Sequence, residues 1–172
     1  MTGPIVLALP RSVRREIWQH LLPRRSPLEQ VAFAYATWES TERAFRLLDW
    51  CPVLPESFAV QTQVYFELTD KARASAIKRA HDLKASLVEI HSHRVGSVAR
   101  FSDSDLAGVA EFVPHVWWRL KGRPYLAVVV AHSGFDGIAW LSGPHTAIRL
   151  HGILTDGRIS KATGLSALGV CI

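Results

Sequence analysis

The stretch Pro124-Tyr-Leu-Ala-Val-Val-Val-Ala-His132 limits the fold more than any other part of this chain. Its inner residues show no polar alternation, so both strand faces are apolar. A strand of that kind runs through the middle of a sheet that is covered on both sides. Helices must supply the cover, and three are legible. Residues 10–22 suggest the first: Pro10 and Ser12 suit its start, Val13, Ile17 and Leu21 recur at helical spacing, and Pro23 stops it. Thr69-Asp70 caps a second over about 71–85, where Ala72, Ala76, Ala80 and Leu83 form a narrow apolar stripe. Ser102 or Ser104 opens a third through Leu106, Val109, Ala110 and Val113.

Strand-like segments fill the intervals. Val31, Phe33 and Tyr35 share one face of a strand reaching Trp38, with small alanines on the other. Further segments are read at 44–54, 58–68, 87–90, 135–141 and 146–155, and the tail from Thr163 fits no class. Strands outnumber helices and helices interrupt them, which predicts an α+β fold with α/β-type layers, a mixed β-sheet flanked by helices.

At 172 residues, with 48% hydrophobic and 20% charged residues, the chain reads as a single domain over 1–172. No apolar run approaches the roughly 20 residues that span a bilayer. The block Ile5–Leu9 is too short and lacks the basic lead of a signal peptide, so a cytoplasmic location is expected. Cys51 and Cys171 lie far apart without a CxxC pair, and reduced thiols are expected. A net charge of +5 and a pI near 9.6 raise the question of nucleic acid. The basic clusters are Arg11/Arg14/Arg15, Arg24/Arg25 and Lys71/Arg73/Lys78/Arg79. The first and third read as wet faces of amphipathic helices. No finger spacing, RNP-type strand or GxxG loop accompanies them, so no nucleic-acid partner and no membrane partner are expected.

The chemistry concentrates in His91-Ser92-His93, followed by Ser102 and Asp105. Alternation on a strand sends both imidazoles to one side, close enough to share a metal ion. Asp105 adds an oxygen ligand in the first turn of the third helix, with Asp103 as its rival. Two nitrogens and one carboxylate leave a fourth position for water, the arrangement of a catalytic zinc site. His115, His132, His145 and His151 have no motif partner and read as structural or surface residues. Neither a GxSxG elbow nor an HExxH string occurs.

These residues resemble the motif of the JAMM zinc metalloproteases, the JAB/MPN family: an upstream glutamate, His-Ser/Thr-His, a spacer, then Ser-x-x-Asp. The order of elements is similar over roughly residues 5–155, most of all to the small prokaryotic members. Arg94 stands where many members have proline, and the spacer 94–101 is one residue longer than usual. The resemblance implies a JAB/MPN (cytidine-deaminase-like) fold and Zn2+ held by His91, His93 and Asp105. It implies Glu29 as the general base, with Glu89, which shares the histidines' strand face, as competitor. Ser102 would hydrogen-bond the oxyanion.

The activity so implied is cleavage of a peptide or isopeptide bond after the C-terminal tail of a ubiquitin-like protein. Its partners would be that protein or its conjugates, with activating-like and conjugating-like enzymes, in some relatives as part of antiphage defence. Two alternatives stand beside it: a non-catalytic JAB/MPN scaffold, and a processing protease for a sulfur-carrier-type ubiquitin-fold protein.

Overall fold

The computed structural model describes residues 3–96 and 98–168; Cys171 lies outside them. In chain order the elements are β1 (Val6–Ala8), α1 (Arg11–Leu21), β2 (Val31–Glu39), β3 (Ala44–Pro52) and a short 3-10 turn at Pro55–Ser57. There follow β4 (Phe58–Gln61), β5 (Phe66–Leu68), α2 (Asp70–Asp82), β6 (Ser86–Ser92), α3 (Asp103–Arg119) and β7 (Tyr125–Ala131). The described chain finishes with β8 (Gly134–Trp140), β9 (Ala147–Arg149), β10 (Gly152–Thr155) and β11 (Arg158–Lys161).

Nine strands form one mixed sheet in the order β11-β10-β1-β3-β2-β6-β7-β8-β9, and β4 and β5 make a separate hairpin. The apolar run at 125–131 is β7, with every residue buried. It lies parallel to β6 and antiparallel to β8. Alternation divides the core in two. On one face Val31, Phe33, Tyr35, Leu87, Tyr125 and Val129 pack under α2 and α3. On the other, Ala32, Ala34 and Ala36 let α1 come close, and Ile17 and Leu21 meet Val88, Ile90, Val128 and Val130. The expected mixed sheet with helices on both faces is therefore present.

One strand was not foreseen, and two expectations need correction. Ile5–Leu9 contains β1, a three-residue strand buried between parallel neighbours β3 and β10. The segment 58–68 is two strands of a hairpin rather than one. The segment 146–155 is also two strands, and they belong to opposite ends of the sheet. The Leu150 N–H still donates to the Gly137 carbonyl beside β8, while the next, on His151, donates to Ile5 (2.9 and 2.8 Å). The sheet has curled so far that two residues carry the chain from β9 at one edge to β10, one strand in from the other. Gly137 permits the crossing, since a Cβ there would lie 2.7 Å from Leu150 Cδ2.

The tail after β11 also has a place. Buried Asp136 accepts from the Gly164 and Ser166 N–H groups at 3.1 and 2.8 Å. The Ser166 hydroxyl accepts in turn from the Phe101 N–H at 2.9 Å, fixing the residue that precedes α3.

Candidate metal centre

Strand pairing brings the site together. Antiparallel β2 and β6 set Val31 opposite His91. The pairing runs on past the end of β2, where the Ser92 N–H donates to the Gln30 carbonyl and the Gln30 N–H to the Ser92 hydroxyl, both at 2.9 Å. Glu29 thus comes level with His93, two residues along from Val31 and on the same face. The middle serine of the His-Ser-His triplet points the other way and pins that register. Arg94 reinforces it from its guanidinium, which donates to the carbonyls of Pro23 and Ser26 at 2.8 and 2.9 Å. The loop leading to Glu29 is thereby fastened to the end of β6.

Asp105 arrives from α3. Ser102 is the N-cap: its hydroxyl accepts from the Asp105 N–H at 3.2 Å, and the Asp105 carboxylate accepts from the Ser102 N–H at 2.7 Å. This reciprocal capping box fixes the aspartate's rotamer. Asp103 occupies the exposed first position of the helix and stays out of the cluster. Among the described residues, His91, His93 and Asp105 form the one group of histidine, cysteine and acidic side chains arranged to hold a metal.

Their donor atoms suit one. His91 Nε2 and His93 Nε2 are 3.4 Å apart. Asp105 Oδ2 lies 2.9 Å from His93 Nε2 and 3.5 Å from His91 Nε2. Bonds of about 2.0–2.1 Å to a tetrahedral zinc put its ligand atoms about 3.3 Å apart. The three separations bracket that edge length. The second nitrogen of His91 is buried without a hydrogen-bond partner, because the ring sits between Phe66 and Phe101 at centroid distances of 5.4 and 5.5 Å. Aromatic packing rather than a hydrogen bond therefore orients this imidazole.

Glu29 is 3% exposed, and its Oε1 lies 4.0 Å from His93 Nε2. Burial raises its pKa to about 7, against the opposing pull of the two imidazoles. Burial alone would lower the His91 pKa, yet Asp105, Glu89 and Glu29 hold it above its ordinary value. Burial would raise the Asp105 pKa, but both imidazoles and Ser102 keep it far below the usual carboxylate range. Glu89 shares this face, as alternation requires, and accepts a 3.3 Å hydrogen bond from the Tyr125 hydroxyl. Burial raises its pKa too. Glu89 therefore has a partner of its own, whereas the Glu29 carboxylate faces the histidines.

The β4–β5 hairpin roofs the site, and reading the sequence missed this role. The Glu29 N–H donates to the Thr62 carbonyl and the Gln61 side chain donates to the Glu29 carbonyl, at 2.9 and 2.8 Å. A cavity of about 90 Å³ lies between Tyr65, Phe66, Glu89, His91, Asp105 and Phe112. Phe58, Phe66 and Leu68 gave an apolar signal, but residues 62–65 contain no glycine, proline or asparagine to mark a turn.

No family model matches the chain, and no curated protein does. Among solved structures, protein DSY2949 from Desulfitobacterium hafniense, determined in solution, is similar with a TM-score of 0.53 at 14% identity, over 90% of this chain and 95% of that one. The likeness is one of fold. Among the described residues no helix is long and apolar enough to cross a membrane.

Proposed function

We propose that the chain is a JAMM-type zinc peptidase of JAB/MPN fold that cleaves after the C-terminal tail of a ubiquitin-like protein. The observation that carries this reading is the placement of the buried Glu29 carboxylate 4.0 Å from the histidine of a three-donor cluster. A structural zinc site is closed by four protein ligands. Here three donors converge, and the fourth neighbour is an acid suited to moving protons.

His91, His93 and Asp105 would hold the ion. Zinc in such a set activates a water molecule and polarises a carbonyl. Glu29 takes the proton from the attacking water and delivers one to the departing amine. Its enclosure keeps bulk water from competing for that proton. Ser102, at the start of α3 beside Asp105, supplies a hydroxyl toward the developing oxyanion. The β4–β5 hairpin has a free edge beside the site, where an extended tail can pair as an added strand.

The test is incubation with a fusion that joins a ubiquitin-like tail to a reporter, with and without a chelator. Cleavage by the wild type, halted by the chelator and absent in Glu29→Gln with metal retained, is the expected result. A protein that binds metal but leaves every such fusion intact would favour the scaffold reading. Cleavage undiminished in Glu29→Gln would move the base to Glu89.

A further inference from the structure

Another groove lies on the opposite side of the sheet. Arg11, Arg14, Arg15 and Trp18 fall at i, i+3, i+4 and i+7 on α1, and they face the β10–β11 hairpin across a groove of about 410 Å³. Thr155, Arg158 and Ser160 complete the wall. The volume lies in the range of small-molecule sites. β10 lies four strands along from β6, and α1 covers the sheet face opposite the one that the histidines share with α2 and α3, so this groove is separate from the histidines.

Four guanidinium groups meet there. Arg11 pairs with Asp156 at 2.9 Å, and both side chains are exposed. Arg14 donates to the Ser160 hydroxyl at 2.9 Å and lies over the Trp18 ring at 5.3 Å. It is partly buried, which lowers its pKa, and no carboxylate offsets that effect. Among the described residues, Arg15 and Arg158 make no ion pair. An independent observation comes from Thr155, which is 8% exposed and whose hydroxyl has no hydrogen-bond partner. A buried hydroxyl on the wall of an arginine-lined groove lacks the acceptor or donor that such groups ordinarily find. α1 also begins at Pro10 with no side-chain cap and no acid of its own in the first turn.

From these features we infer that the groove binds a small polyphosphate, a ligand with two or more linked phosphate groups. Arg14, Arg15 and Arg158 supply charge and forked N–H donors, and a turn of the Thr155 side chain brings its unpartnered hydroxyl to a phosphate oxygen. A single negative charge would leave most of the arginines unanswered. The flank of Trp18 gives an apolar surface for whatever group carries the phosphates. This site stands independently of the reading of the histidine cluster.

Isothermal titration of the full chain with inorganic pyrophosphate, with a nucleoside triphosphate and with a short single-stranded DNA tests the proposal. Arg15→Gln/Arg158→Gln changes two exposed side chains, and Thr155→Val keeps the side-chain shape; unchanged melting temperatures verify that both fold. Saturable binding of pyrophosphate, weakened about tenfold in the arginine variant and several-fold in Thr155→Val, is the expected result. Equal affinity for the two polyphosphates assigns recognition to the phosphates alone. Tighter binding of the triphosphate shows that its third phosphate or its nucleoside adds contacts in the groove. Three results would overturn the proposal: no binding of either polyphosphate, binding unchanged in the arginine variant (which would put the ligand elsewhere, such as a metal at the histidines), or DNA held more tightly than both.

Discussion

Replacing Glu29 by glutamine should make the metal-free protein more stable at neutral and alkaline pH. The side chain keeps its size but loses a charge that is costly to bury. Glu29 titrates near 7 rather than at its ordinary 4.5. At about 1.4 kcal/mol for each tenfold change, that amounts to about 3 kcal/mol once the group is ionised. The sign follows from which state binds the proton more tightly. A carboxyl whose pKa is raised by folding favours the folded state at low pH. That advantage drains away between about pH 4.5 and 7. Glutamine has no proton to lose, so the two proteins match below pH 4.5 and diverge to about 3 kcal/mol by pH 8. Urea unfolding in the presence of a chelator, repeated across that range, measures the gap. Adding zinc should narrow it, because a cation beside the carboxylate favours its ionised form. Parallel stability profiles for the two proteins would refute the reasoning and show that the Glu29 carboxylate is well solvated.

Metal analysis should find about one zinc per chain in the wild type, none in His91→Ala or Asp105→Ala, and an unchanged amount in Asp103→Ala. Ser102→Ala should cost about 1 kcal/mol of stability through loss of the α3 cap, read from the unfolding midpoint. If its hydroxyl also serves the oxyanion, cleavage should fall about 100-fold with metal content intact. Gly152→Ala should destabilise by about 1–3 kcal/mol, because the new Cβ would lie 2.2 Å from the Ser160 carbonyl oxygen. Thermal unfolding reads that loss.

Much of the site was legible because its chemistry is local. The strand into His91 and the Ser-x-x-Asp helix start are short-range patterns, whereas Asp103 stayed a rival until the capping box placed Asp105 beside the histidines. The nearness of Glu29 to His93 is a matter of register between strands sixty residues apart, which no local pattern states. Tyr125 as the partner of Glu89 was hidden for the same reason. Of the fold, long periodic elements were readable and short ones were not. β1 has three residues and no alternation, because both its faces are buried. The join between β9 and β10 at Leu150-His151 offers no break other than Gly152.

The change of neighbours at this join bears on how the molecule is made. One of the two strands that flank the residues around Ile5 is synthesised about 145 residues after them. Until then β1 has one side open, and a nascent chain must hold this apolar segment in waiting. Assembly waits for β10, and a product halted before it would keep that unmated strand as a seed for aggregation.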